Sequence, residues 1–267
     1  MNGNKWQASL MGVNDALATK GCPWRVEIHA SMPSTNTHLR HEAEKGMEEG
    51  RVVLALEQSG GRGRLGRSFH SPSGTGLYFS VLLRPAFPPS DAGYLTTAAA
   101  VAVAQALEHA GSTPIRIKWV NDLYRLGKKV CGILTEAALD PDTGGFRYAV
   151  VGIGINLLPP DGGFPEELKG IAGAAFDERS FSPGALLADV LVSLWRLYGT
   201  LPEHSFMDEY RSRSNLIDKH AVVTAGDVEI GGTVQDIDLE GGLHLLDGEG
   251  RLHVLRSGTI RTEEGME

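Results

Sequence analysis

At 267 residues, with 42 % apolar and 22 % charged positions, the chain can bury one substantial core and a small addition, a composition that argues against disorder. Its formal net charge of −8 repels polyanions, so a nucleic-acid function would need a local basic patch acting against that field. Two cysteines, Cys22 and Cys131, exclude a disulfide framework, and no apolar run approaches the ~18 residues of a membrane helix. The first residues lack the charged-then-apolar pattern of a signal peptide, and the reading is a cytoplasmic protein of a reducing compartment.

In chain order, residues 1–23 show little pattern and predict at most one helix and a link. Residues 24–29 alternate as a short strand. The triplet Ser34-Thr35-Asn36 offers a polar cap for a helix over 37–46. A buried strand at 51–56 runs into a glycine-rich segment at 57–70, and 76–83 is a second strand rich in aromatic and β-branched residues. The alanine density of 92–110 predicts a buried helix, ended by Gly111. A strand at 115–119 meets a polar turn at Asn121-Asp122, and strands at 130–138 and 146–156 flank a hairpin loop at 140–145. Helices are expected at 166–176, at 183–199 behind Ser182-Pro183, and at 204–213. After Leu216 the pattern changes to short strands at 221–224, 228–230, 233–237, 243–246 and 252–255, which predicts a small barrel docked on the main domain. The fold class is therefore α+β: a mixed β-sheet catalytic domain with flanking helices, followed by a small β-barrel. The division is 1–23 extension, 24–215 catalytic domain, 216–262 C-terminal domain and 263–267 solvated acidic tail.

The segment Glu57-Gln58-Ser59-Gly60-Gly61-Arg62-Gly63-Arg64-Leu65-Gly66-Arg67 is the most informative. Glycines at this density let backbone N–H groups turn toward a ligand, and three arginines without obvious local acidic partners suit phosphate or carboxylate. No long helix follows, which excludes a dinucleotide fingerprint, and no Gly-Lys-Ser/Thr ends it, which excludes a Walker loop. A ligand loop, an arginine-glycine nucleic-acid contact and a solvated turn all stay open on these residues alone. Asn121 and Asp122 either cap a turn or reach a ligand or Mg²⁺. Lys129, at the head of an apolar strand, either enters a pocket or reaches water. Gly152, Gly154 and Asn156 lie in a strand whose backbone packs close to another strand or to a ligand. Cys131 reads as a buried small hydrophobe, and the histidines show no metal-ligand spacing.

Taken in register, Ser34-Thr35-Asn36, Gln58 with residues 61–67, Lys118-Trp119-Val120-Asn121-Asp122-Leu123, residues 129–132 and Gly152-Ile153-Gly154-Ile155-Asn156 resemble the biotin–protein ligase family. The resemblance covers roughly residues 24–215, and 216–262 is similar to that family's C-terminal SH3-like domain. It implies ATP-dependent activation of biotin to biotinyl-5′-AMP and transfer to a lysine of the biotin carboxyl carrier protein of acetyl-CoA carboxylase, with Mg²⁺ accompanying ATP. It implies a biotin site of Ser34, Thr35, Asn36, Gln58, Gly61, Arg62, Lys129, Gly132 and Gly154. The implied ATP site is Arg64, Arg67, Phe69, Asn121, Asp122 and Asn156, and Lys129, Arg64 and Arg62 are the implied catalytic groups. No metal is implied as permanently held; Mg²⁺ would sit near Asn121 and Asp122. Two departures stand out: Val120 where the family usually has Pro, and Phe69 where Trp is common. The 23 residues before Trp24 are too few for the winged helix-turn-helix of repressor members, so the resemblance is to the monofunctional class, with no specific DNA and no membrane partner. Monomer and homodimer both stay open. A lipoate or other acyl ligase is the alternative within the same adenylation chemistry.

Overall fold

The computed structural model describes residues 3–262, so the tail at 263–267 lies outside the described residues. Two helices, α1 (Gly3–Met11) and α2 (Val13–Thr19), precede strand β1 (Arg25–His29), where one helix and a link were expected. They belong to the main core: Trp6, Leu10, Val13 and Leu17 are buried with it. Asn14 closes the outer edge of β1 by donating to the Val26 carbonyl (2.9 Å) and accepting from the Val26 amide (2.8 Å).

Next come α3 (Thr35–Glu44), β2 (Arg51–Ala55), β3 (Gly76–Leu83), α4 (Gly93–His109), β4 (Arg116–Lys118), β5 (Asp122–Arg125), β6 (Lys128–Leu139) and β7 (Phe146–Asn156). The strands form one seven-stranded sheet in the order β1-β2-β3-β7-β6-β5-β4. Only β1 and β2 run parallel; the other neighbours are antiparallel, so the sheet is mixed. Its alternation divides the side chains cleanly. Leu77, Phe79, Val81, Val151, Ile153 and Ile155 enter the large core with the alanine-rich α4 and with α5 (Pro183–Gly199). On the other face, Val53, Leu82, Tyr148 and Val150 make a smaller cluster with Leu39 and Ala43 of α3. That second face is left partly open, and the open part is where the candidate site lies.

The helix expected over 166–176 is a single 3-10 turn, Glu166–Leu168. The backbone beyond it is used as a strap instead. The Lys129 amide donates to Ile171 O, Gly173 N to Lys129 O, and Ala175 N to Asn156 O, at 2.8–2.9 Å. Hydrogen bonds to the ends of β6 and β7 thus replace those of a helix. Helix α6 is shorter than expected (Met207–Ser212), because His204 adopts a left-handed conformation ahead of it.

The C-terminal region contains β8 (His220–Ala225), β9 (Val228–Ile237), β10 (Leu243–Asp247), β11 (Leu252–Leu255) and β12 (Thr259–Thr262). The two strands expected at 228–230 and 233–237 are one, since Gly231 and Gly232 stay in register opposite Val222 and Ala221. The expected SH3-like β-barrel is corrected by the pairing. The sheet is open, in the order β11-β10-β9-β8-β12, and its two edge strands do not pair with each other. Closure needs strands long enough to stagger and meet across the gap. Here both edge strands are four residues long and lie at opposite edges of the sheet, leaving Leu252 and Val254 on β11 about half exposed.

Candidate active site

A pocket of about 310 Å³ opens on the α3 face of the large sheet, beneath the glycine-rich segment. Its floor is backbone. Gly132 on β6 pairs with Gly154 on β7, and Gly152 pairs with Leu134. A β-carbon on Gly152 would lie 2.0 Å from Asn36 Oδ1, and one on Gly154 would lie 2.6 Å from the Phe69 ring. These two positions exclude any side chain because polar and aromatic groups already rest on the strand.

One end of the pocket is a hydrogen-bonded chain of uncharged side chains. Ser34 caps α3 through the Thr37 amide (3.4 Å), which turns the helix start toward the sheet. The Thr35 amide donates to Gln58 Oε1 (2.8 Å), and the Thr35 and Ser80 hydroxyls are 2.7 Å apart. Ser80 donates to Asn36 Oδ1 (2.6 Å), and Gln58 Nε2 donates to Ser71 Oγ (3.1 Å). Glu136 stands behind this chain. It accepts from Asn36 Nδ2 (3.1 Å), from Arg62 Nη1 (2.9 Å) and from Arg40 Nη1 (2.9 Å). The acidic partner of the arginine loop therefore exists, 74 residues away in sequence.

The other end is charged. Lys129 Nζ is 2.7 Å from Asp122 Oδ1, and Asn121 Nδ2 donates to the same oxygen (3.0 Å) and to Ile133 O (3.0 Å). Arg64 donates to Asn121 Oδ1 (2.9 Å) and to Gly258 O (3.3 Å) at the start of β12. A bulge between β5 and β6 sets Tyr124 against Lys129 and Leu123 against Cys131. That extra residue brings Lys129 onto the pocket face with Gly132, while Lys128 is exposed beside Gly173. Lys118 also lines the pocket and lies 5.8 Å from the Tyr124 ring centroid. Burial holds its ammonium below the usual lysine range; Asp122 opposes that shift, and Lys129 and Arg67 add to it. Burial, with help from Asp122, pushes the Tyr124 phenol up to about 12.

Ser34, Thr35, Asn36, Gln58, Arg62, Arg64, Arg67, Phe69, Asn121, Asp122, Lys129, Gly132 and Gly154 all line this pocket. Gly61 and Asn156 do not. Gly61 sits behind the wall, where a β-carbon would meet Phe69 O at 2.3 Å. Asn156 donates to Gly173 O (3.2 Å) and so holds the strap. Phe69 lies over Gly132 and Gly154, at the floor. Cys131 is fully buried, and burial pushes its thiol far above the ordinary range, so it offers no nucleophile. Sequence reading missed Ser80, Ser71, Glu136, Ile171 and the 258–260 segment. Ser80 and Glu136 stood in predicted strands, Ile171 in a predicted helix and 258–260 beyond the last predicted strand, with nothing local to mark them as polar partners or walls. The Trp119–Val120 peptide, at the turn where the family usually has Pro, is cis. Among the described residues no group of three or more His, Cys, Asp or Glu side chains could hold a metal, and no helix is long and apolar enough to cross a membrane.

Residues 28–156 match the Biotin/lipoate A/B protein ligase family. The chain is 42 % identical over 144 residues to the bifunctional ligase/repressor BirA of Bacillus subtilis, covering 54 % of this chain and 44 % of that one. It is 30 % identical over 214 residues to the biotin–[acetyl-CoA-carboxylase] ligase of Mycobacterium tuberculosis, covering 76 % of each. The chain thus spans less than half of the first relative's length and about three quarters of the second's. The structure is similar to that of a biotin protein ligase from Aquifex aeolicus in complex with biotin and ATP (28 % identity, TM-score 0.73, covering 90 % of this chain and 99 % of that one). With an uncharged clamp and a cationic cluster at opposite ends of one glycine-floored pocket, and with relatives matching along most of its length, the chain belongs to the biotin–protein ligase family.

Proposed function

We propose that this pocket activates biotin with ATP to biotinyl-5′-AMP and transfers the biotinyl group to a lysine of a biotin carboxyl carrier protein. The observation that carries the reading is the division of the pocket into two ends. A cyclic urea needs uncharged donors and acceptors, which Ser34, Thr35, Asn36 and Gln58 supply. A carboxylate meeting a phosphate needs cations, which Arg64, Lys129, Lys118 and Arg67 supply. The glycine floor between them leaves room for an aliphatic chain beside Phe69.

In the first step the biotin carboxylate oxygen attacks the α-phosphorus of ATP and pyrophosphate leaves. Lys129, paired with Asp122, offsets the repulsion between the two anions and then stabilises charge on the acyl oxygen. Arg64, anchored on Asn121, faces the phosphate. In the second step the carrier's lysine amine attacks the acyl carbon. A C–N bond forms, the bond to the AMP oxygen breaks, and the amine proton is lost to solvent. No protein nucleophile is required. The 61–67 loop excludes water, which would otherwise hydrolyse the mixed anhydride. Mg²⁺ would enter as the cation of ATP; Asp122, a single carboxylate beside the phosphates, fits that usual mode of holding it, and the ion would neutralise phosphate charge.

Residues 24–215 form the catalytic unit in this reading, and 216–262 lends it the β12 edge beside Arg64. A reducing, cytoplasmic setting fits two buried free cysteines. Incubation with MgATP and biotin, followed by mass spectrometry for biotinyl-AMP, tests the assignment. Adduct formation with lipoate or octanoate instead of biotin would replace it with the related acyl-ligase activity.

A further inference from the structure

Among the described residues, Glu136 is the one carboxylate that touches both the arginine loop and the uncharged clamp, and neither contact belongs to the adenylation chemistry. Its side chain is only 18 % exposed. An ionised carboxylate accepts hydrogen bonds and donates none, so it dictates which way its partners point. Asn36 must present Nδ2 to Glu136 Oε2 (3.1 Å), a pose supported by Leu134 O at the same distance. Asn36 Oδ1 is thereby turned to Ser80, whose only proton goes to it at 2.6 Å. The Ser80 oxygen is left as an acceptor, so across their 2.7 Å contact the Thr35 hydroxyl is the donor, and its single proton goes there in preference to Gln58 Oε1, 3.2 Å away. The Thr35 lone pairs are then left to accept from an occupant of the pocket that Thr35 lines. On its other flank the same oxygen, Oε2, fixes Arg62 Nη1 at 2.9 Å, while Arg40 occupies Oε1. One carboxylate thus sets acceptors on the α3 side and donors on the loop side.

We propose that Glu136 is a positioning residue that sets the donor–acceptor polarity of the clamp and holds Arg62 across it. The proposal rests on the biotin reading above, since a urea presents one carbonyl between two N–H groups and matches only one polarity. Glutamine at this position keeps the shape but adds an N–H₂ group, which removes the acceptor-only constraint on Asn36 and leaves the Leu134 carbonyl alone to hold its Nδ2. Aspartate loses a methylene but remains acceptor-only.

The test compares Glu136→Gln and Glu136→Asp with wild type, using biotin and its uncharged carboxamide as ligands. Glu136→Gln should weaken binding of both ligands by the same factor, about 10-fold or more, as expected for a charge-assisted contact. The kcat for adenylate formation at saturating biotin should stay within about threefold. Glu136→Asp should lie nearer wild type than the isosteric Gln. Combined with Arg62→Ala, the Gln variant's loss should fall well short of the product of the two single losses. Unequal losses for the two ligands, a fall in kcat with unchanged KM, a better-tolerated Gln than Asp, or fully multiplicative losses would each overturn the proposal. Tryptic cleavage after Arg62 and Arg64 in the ligand-free protein should rise about 10-fold in Glu136→Gln without a change in Tm; unchanged cleavage would also overturn it. If the wild-type protein bound neither ligand, the ligase reading would fail, and cleavage of the loop would still decide whether Glu136 tethers it.

Discussion

The two faces of the seven-stranded sheet are built from the same strands and serve opposite ends. On β7, Ile153 and Ile155 enter the large core at 2 % exposure or less, while Gly152 and Gly154 between them carry no side chain at all. The α4 and α5 face is filled to exclusion of water. The α3 face is filled only at its far end, by Leu39, Leu82 and Val150, and is then left concave. A sheet fully packed on one side tolerates glycines on the other, because stability is supplied by the first face and the second is free to hold a ligand. The core and the candidate site therefore draw on alternate residues of one strand, and substitutions should separate stability from activity.

The largest expected effect lies on the filled face. Ile155→Ala should lower stability by about 2–5 kcal/mol, the usual range for emptying a tightly packed site, with biotin KM and kcat near wild type at a temperature where the variant is folded. Chemical denaturation measures the loss, and a matching collapse of kcat in the folded variant would break the comparison. On the open face, Gly152→Ala should do the reverse. Its β-carbon would displace Asn36, and a misplacement of this size costs about 100-fold in turnover, while Tm moves little. Pyrophosphate exchange and calorimetry on the same sample would show whether the two properties part.

Lys129→Ala follows. Loss of one charge-assisted contact made mainly in the transition state should cost about 10- to 150-fold in adenylation. Lys128→Ala should be near wild type, because Lys128 is exposed whereas the bulge turns Lys129 into the pocket. Equal losses at both lysines would dissolve the distinction.

The smallest effect concerns the helical layer behind the filled face. Arg213 pairs with Glu108 of α4 (2.7 Å) and Glu209 of α6 (2.7 Å). Burial works to raise the Glu108 carboxyl, but Arg213 and the Ile115 amide outweigh it and hold the group below its ordinary value of 4.5. The unfolded chain therefore takes up this proton first as pH falls. The stabilisation is complete above about pH 4.5 and is lost as pH drops through the lower folded value. Arg213→Ala should lower stability at neutral pH and make the acid-side decline shallower; an unchanged acid limb in urea titrations at pH 3–6 would show that the pair contributes nothing there.

Local pattern was enough for β1, β2, β3, β7, α4 and α5, because period-2 and alanine-rich stretches pack the same way whatever surrounds them. Glycine density and clustered arginines also marked the loop as a ligand candidate, whereas the clamp and the role of Lys129 came only from the family resemblance. Where backbone hydrogen bonds go was not legible. Residues 166–176 became a strap because the ends of β6 and β7 offered partners, and the C-terminal strands stayed an open sheet because their edges never meet. Nor was it legible that Glu136 would answer Arg62, or that Gly258 would accept from Arg64. Hydrogen-bond partners separated by 74 and 194 residues meet only once the sheet is assembled. The sequence by itself determined most of the strands and helices, 122–125, 166–176 and 259–262 excepted, and which residue types were candidates to face a ligand. Only the tertiary structure decided which of those residues share a pocket end, because long-range pairing sets register, and register decides which side of the sheet every side chain occupies.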